Sequence, residues 1–329
     1  MPVRYAAPVT SLLETRSLSL TPRSPYNFDA NFHKPSHFPS SHTAWEKGCS
    51  WSTMLWEGMA VGLRFEKEGT TNRPRIGLTV FSRKRLSQAN LDELVAEIRW
   101  RFNFDQDISE FTKRYSNDPH LGGPIRRWKG MKPIAANSLY ESLVIYITLQ
   151  NATVRRTVQM LENLFLRFGQ RVSFNGRSLS VFWSPDAVAK STVNELKALK
   201  VGYRAKSITR ISEQFALGSI DGIALRNSSN EVVAKELDKL YGIGPASIQG
   251  ILFEDFYFLD ALDLIPPWER KIMSRLLFRK RLVPAERILR FFRERYAGYG
   301  CLAFHYIWED LFWRRKHKRI EWLEKEIRL

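Results

Sequence analysis

Leu237-Asp238-Lys239-Leu240-Tyr241-Gly242-Ile243-Gly244-Pro245-Ala246-Ser247-Ile248 decides how this chain is read. The apolar spacing ends one helix near Leu240. Gly242-Ile243-Gly244 then reverses the chain, and Pro245 opens a second helix, where its fixed φ suits the first turn and its missing N–H is no loss. Glycine at 242 and 244 permits positive φ and lets a partner's backbone come close. The N–H groups of Ser247 and Ile248 are then expected at the positive end of a helix dipole. That is a natural seat for a phosphate, recognised by charge and shape and not by base sequence. By itself, a Gly-x-Gly turn joins many pairs of helices.

Outward from the hairpin the pattern is helical on both sides. Leu139, Leu143 and Ile147, then Val154, Val158, Leu161, Phe165 and Phe168, recur at helical spacing, separated by the polar connector Gln150-Asn151-Ala152-Thr153. Helix starts are expected at Ser184-Pro185, at Thr192-Val193-Asn194-Glu195 and Ser228-Ser229-Asn230-Glu231 with their capping-box spacing, and at Pro284. Leu302 to Ile327 hold one or two more. Helix is therefore predicted from about residue 105 onward.

Upstream, Ala60–Phe65 and Arg75–Phe81 alternate roughly in period two around the turn-like Gly69-Thr70-Thr71-Asn72, which predicts an antiparallel pair. Asn90-Leu91-Asp92-Glu93 opens a helix running to about Phe102. Residues 1–40, rich in Ser and Pro, predict a loosely ordered lead-in. The expected organisation is that lead-in, an α/β N-terminal domain over 41–115, and a helical core over 116–329 with its hairpin at about 237–250. The fold class is mainly α with an α/β N-terminal domain.

The chain has 329 residues and a formal net charge of +17, from 51 Lys+Arg against 34 Asp+Glu. So basic a chain points to a polyanion: DNA, RNA or an acidic membrane surface. Its two cysteines, Cys49 and Cys301, cannot make an iron–sulfur cluster, a four-cysteine zinc site or a disulfide scaffold. No apolar run is long enough to span a bilayer, and no secretory leader is read at the N-terminus. An intracellular, nucleic-acid-associated protein is expected.

The hairpin, followed downstream by Leu264-Ile265-Pro266-Pro267-Trp268-Glu269-Arg270-Lys271-Ile272, resembles the HhH-GPD superfamily of DNA glycosylases over roughly residues 50 to 310. The likeness is to its 8-oxoguanine and 3-methyladenine (type II) branches, which lack an iron–sulfur cluster. It implies a helix-hairpin-helix core of two helical lobes, with double-stranded DNA carrying a damaged base as partner. Gly242, Gly244, Ser247 and Ile248 would grip the lesion strand. Gln150-Asn151 resembles the loop that fills the hole left by a flipped base. Val201-Gly202-Tyr203-Arg204-Ala205-Lys206 is similar to a Gly-Tyr-Arg-Ala segment in which Tyr203 would wedge the stack and Arg204 would contact the opposite strand, with Arg156 reading the opposite base. Ala297-Gly298-Tyr299 opens a helix similar to one lining the base pocket.

The resemblance has three departures. The family's lyase lysine falls at Ala246, so no Schiff base can form there and water is implied as nucleophile. The catalytic Asp aligns with Glu269, or with Trp268 if the double proline shifts the register; Asp260 and Asp263 stand in reserve. Cys301 and His305 replace the pocket side chains of 8-oxoguanine enzymes. The expectation is a monomeric, monofunctional base-excision glycosylase, favouring alkylated over oxidised or deaminated purines. Glu269 would be catalytic, and Trp268, Cys301 and His305, with Tyr203 and Trp308 as further aromatics, would form the base pocket. No cofactor or metal is expected, though a backbone-bound monovalent cation at the hairpin is compatible with the motif. The alternatives are a catalytically silent relative that recognises distorted DNA and an RNA-binding protein. Arg314-Arg315-Lys316-His317-Lys318-Arg319 and Arg126-Arg127-Trp128-Lys129 are further candidates for tracking phosphates.

Overall fold

In a computed structural model, which describes residues 9–327, the expected strand pair forms the centre of a larger sheet. β1 (Val9–Ser11), β2 (Leu13–Leu20), α1 (Phe28–Phe32), β3 (Thr43–Glu46), β4 (Cys49–Trp56), β5 (Met59–Lys67), β6 (Ile76–Ser82) and α2 (Gln88–Arg101) follow in order. The antiparallel sheet runs β2-β6-β5-β4-β3, with Phe65 opposite Leu78 and Leu63 opposite Val80. Every residue of β6 is buried, because both faces of the sheet are covered. On one face Leu91, Leu94 and Ile98 of α2 pack against Val61, Leu63, Phe65 and Leu78.

The other face meets a second sheet, and here helix was expected throughout. After α3 (Ser109–Arg114), α4 (Gly122–Trp128), α5 (Leu139–Leu149) and α6 (Val154–Phe168), the chain forms β7 (Gln170–Phe174) and β8 (Arg177–Val181). Asn175 and Gly176 both have positive φ, the geometry of a tight hairpin turn. β1 pairs parallel with β7, so the first described residues join a sheet of order β1-β7-β8. The two sheets approach closely at Gly62, where an added Cβ would lie 2.7 Å from the Phe174 ring.

The lead-in expectation is therefore corrected: residues 9–40 carry β1, β2 and α1, and of the lead-in 1–8 lie outside the described residues. Two helix starts also move. Ser87, not Asn90, caps α2, and Ser229, not Ser228, caps the helix that begins at Asn230. The capping box at Thr192 forms as expected.

The helical part divides into two lobes. The first packs α5, α6, α7 (Pro185–Ala189), α8 (Val193–Ala198), α9 (Arg204–Ala216), α10 (Asn230–Asp238) and α11 (Pro245–Glu254) around Leu143, Ile147, Leu164, Ile208 and Ile251. The second packs α12 (Pro267–Phe278), α13 (Ala285–Arg295), α14 (Gly300–His317) and α15 (Glu321–Glu324) around Ile272, Phe292, Leu302 and Tyr306. Ala30 of α1 and Phe111 of α3 belong to this second core, so the lobe is built from both ends of the chain and does not begin at 116. α11 serves both: Ile248 and Ile251 face the first core, Phe253 the second. Among the described residues, no helix is long and apolar enough to cross a membrane.

Candidate DNA interface and base pocket

The hairpin between α10 and α11 lies on the surface, with Tyr241, Gly242, Pro245 and Ala246 exposed. Gly242 has φ +86°, and a Cβ there would also meet Ser207 Oγ at 2.2 Å, so two constraints select glycine. Gly244 differs. Its φ is −110°, and an added Cβ would meet nothing within 4 Å, which leaves open space in front of the backbone. Ala246 and Ser247 N–H stand ahead of the first intrahelical bond. Ile248 is corrected: its N–H is already bonded to Gly244 O at 3.0 Å and is not free for a phosphate. Lys206 Nζ and Arg210 Cζ sit 4.9 and 4.2 Å from the Tyr241 ring centroid, which makes the hairpin's flank basic.

The connector after α5 is tied to this hairpin. Gln150 Nε2 donates to Gly242 O at 2.6 Å. Asn151, with φ +47°, places its side-chain amide 3.4 Å from the Tyr203 hydroxyl. Tyr203 is 59% exposed. Arg204 is not where the resemblance puts it. It is buried, and its guanidinium donates to Ile147 O at 3.1 Å and to Gln150 O, so it neutralises the C-terminal carbonyls of α5 and holds the connector in place. Arg156 likewise donates to Lys200 O, bridging the start of α6 to the loop before Tyr203.

Behind the hairpin lies a cleft of about 1190 Å³ between the two lobes, and it gathers residues far apart in sequence. Ala246 and Glu254 come from α11, Trp268 and Glu269 from the first turn of α12, and Cys301, His305 and Trp308 from α14. Trp268, 43% exposed, stands edge-on to Trp308 with centroids 4.9 Å apart, and Phe304 stacks on Trp308. Glu269, Trp268, Cys301, His305 and Trp308 therefore share one cavity with Ala246, while Tyr203 does not line it.

Glu269 is half-buried at the third position of α12. A helix N-terminus favours an ionised acid. Burial works against that, and Glu254 adds like-charge repulsion, so the carboxyl is pushed up to about 8. Glu254 itself accepts from the Tyr146 hydroxyl at 2.8 Å. His305 is buried and held neutral by desolvation, with Lys34 adding repulsion. Burial drives the Cys301 thiol up, so it is no nucleophile.

Of the reserve acids, Asp260 accepts from the backbone N–H groups of Gly300 at 2.6 Å and Gly298 at 3.2 Å, capping the start of α14. Asp263 is exposed, and its N–H is held by Gln249 Oε1, which also accepts from Leu264 N–H. Gln249 thus anchors the loop leading to the double proline. The basic runs are partly committed elsewhere. Asp310 takes Arg127 through two bonds, the Trp128 indole N–H and Arg314, while Arg315 pairs with Glu324. Arg127 and Trp128 therefore tie α4 to α14.

One wall of the cleft was invisible to sequence reasoning: the segment between α1 and β3, residues 33–42, contributes Lys34, Ser36 and His37. Asn31 fixes its base, donating to Gly130 O at 3.0 Å and accepting from Lys132 N–H at 2.7 Å.

No family model matches the sequence. The chain is 24% identical over 180 residues to the DNA-3-methyladenine glycosylase of Bacillus subtilis, covering 54% of this chain and 59% of that protein. It is 25% identical over 203 residues to the probable N-glycosylase/DNA lyase of Methanothermobacter thermautotrophicus, covering 55% of this chain and 63% of that protein. The match thus spans about three fifths of each curated relative. Among solved structures, 3-methyladenine DNA-glycosylase from Archaeoglobus fulgidus superposes with a TM-score of 0.70 at 17% identity, covering 90% of this chain and 99% of that one. The apo 8-oxoguanine glycosylase/lyase of Clostridium acetobutylicum gives 0.65 at 16%, covering 92% and 99%.

Proposed function

We propose that this chain, whose fold is that of the helix-hairpin-helix DNA glycosylases, extrudes a damaged base from duplex DNA into the interlobe cleft and hydrolyses its N-glycosidic bond. One observation carries the reading: Glu269 and Ala246, which lies two residues after the Gly242–Gly244 bend, line the same aromatic-walled cavity.

The hairpin would hold a phosphate of the lesion strand at the free N–H groups of Ala246 and Ser247, beside the open backbone of Gly244. Tyr203 and the Gln150–Asn151 connector would occupy the space left in the stack. The extruded base would lie against Trp268 and Trp308. Cleavage develops positive charge on the sugar, and the Glu269 carboxylate would stabilise it and orient water. The sugar cation would in turn favour ionisation of Glu269, opposing the burial that holds its proton in the free protein.

At the position of a lyase lysine the cleft has a methyl group, so the reading is hydrolysis that leaves an abasic site in an intact strand. Alkylated purines fit best. Their leaving group is already activated, and a cationic ring gains from aromatic walls.

The test is base release from duplexes each carrying a single alkylated, oxidised or deaminated purine, revealed by hot alkali, with wild type and Glu269→Gln. Release by wild type that drops by at least about a hundredfold in the variant is expected. Full release by the variant would remove Glu269 from the mechanism. Tight binding without release from any duplex would make the chain a silent reader of distorted DNA.

A further inference from the structure

We propose that Lys34 and Glu309 form a base-reading pair in this cleft: Lys34 donates to an acceptor on the six-membered ring of an extruded purine, and Glu309 accepts from the adjacent N–H. The inference rests on the glycosylase reading and names the residues that set its base selectivity.

Both side chains are buried and line the cavity. Lys34 enters on the segment after α1. Its ammonium donates to Lys132 O at 3.1 Å and meets His305 Nε2 at 3.2 Å. His305 is held neutral, so that nitrogen can accept. An ammonium has three N–H donors, and among the described residues the third has no protein acceptor.

Glu309 lies one turn beyond His305 on α14 and is 1% exposed. Its Oε1 accepts from the Ser36 hydroxyl. Its Oε2 is buried and has no donor among the described residues. A buried carboxylate oxygen without a donor costs free energy that a ligand's N–H would recover.

The pair therefore holds one spare donor and one spare acceptor in a cleft that Phe253, Phe304 and Trp308 also line. Purines present the complementary couple at positions 1 and 6: N1 beside the amino group in adenine types, O6 beside N1–H in guanine types. The pair reads the ring's hydrogen-bonding edge and not the alkyl group itself.

The test is titration of tryptophan fluorescence of the full chain with two free bases: adenine, and unsubstituted purine, which lacks the position-6 N–H. Wild type should bind adenine at least about tenfold more tightly than purine. The isosteric Glu309→Gln should bring that ratio close to one while leaving purine affinity unchanged, and Lys34→Met should weaken both bases together, because both present N1. A ratio kept in Glu309→Gln, or undiminished binding of both bases by Lys34→Met, overturns the proposal. If Lys34→Met does not fold by circular dichroism, Glu309→Gln decides. Base release separates the two readings. Wild-type rates and selectivity in both variants would sink the pair alone. No release from any lesion, with the free-base ratio behaving as stated, would sink the glycosylase and keep the pair.

Discussion

Gln150 and Gly242, separated by 92 residues, are joined by a 2.6 Å hydrogen bond from the Gln150 side-chain amide to the Gly242 carbonyl. The bond ties the end of α5 to the bend before α11. A residue proposed to fill the hole behind a flipped base is thereby held, in the free protein, against the backbone proposed to grip the strand. Gln150→Ala removes the bond and the filler together. The folded state should lose only about 0.5–1.5 kcal/mol, the net worth of one such bond. Affinity for a duplex containing an abasic-site analogue should fall more than affinity for intact duplex. Anisotropy titrations at fixed salt check this, and equal losses on both duplexes would leave Gln150 a purely structural role.

The two hairpin glycines should respond differently to alanine. Gly242→Ala forces a side chain onto φ +86° and into Ser207 Oγ, so the protein should lose about 1–3 kcal/mol of stability. Ser207→Ala in the same chain should recover part of that. Gly244→Ala meets no atom and needs no unusual φ. Its melting temperature should stay within a degree or two of wild type, while DNA affinity falls because the methyl group occupies the space a phosphate would enter. Thermal melts beside anisotropy separate the two. If Gly244→Ala binds DNA normally, the phosphate does not sit there.

The hairpin was legible in the sequence because its determinants are local: Gly242 needs positive φ, and Pro245 starts a helix. The helix that carries Cys301, His305 and Trp308 was legible through Ala297-Gly298-Tyr299, which resembles the opening of a pocket-lining helix. The β7–β8 hairpin also left a local mark, Asn175-Gly176 between short alternating runs, but the surrounding helical periodicity outweighed it. The segment after α1 left none. It is irregular and polar, and becomes a wall only by long-range contacts such as Ser36 to Glu309, separated by 273 residues. Arg204 was assigned to the opposite strand by resemblance alone, and only the fold shows its guanidinium taken by the carbonyls of Ile147 and Gln150.

Ala246 makes the hydrolytic reading testable by gain of function. It is exposed, lines the cleft and precedes the first intrahelical bond of α11, so a lysine there should be tolerated. In Ala246→Lys the amine could attack C1′ of an abasic site and form an imine that borohydride reduces to a stable amine. Wild type should give no borohydride-trapped adduct with abasic duplex, and the variant should. An adduct with wild type would mean that another amine reaches the sugar and that the chain is a lyase as well.

Glu269 makes both stability and activity depend on pH, with directions that can be worked out. Its carboxyl is raised from 4.5 in a free chain to about 8 in the folded one, by burial first and by Glu254 second. The folded protein therefore binds this proton more tightly than the unfolded one, and stability falls as pH rises from about 4.5 to about 8. Glu269→Gln has no such proton. Its melting temperature relative to wild type should show no pH-dependent difference below about pH 4.5, climb through the window and level off above about 8. Activity should run the other way. If the ionised carboxylate stabilises the sugar cation, kcat/KM should rise about tenfold per pH unit below about 8 and then flatten. Glu254→Gln removes the like charge and should move that break to lower pH, a shift that a purely structural role for Glu254 would not produce. A pH-independent kcat/KM across this window, with unaltered melting differences, would show that the carboxyl ionises normally and that the two glutamates do not share a field.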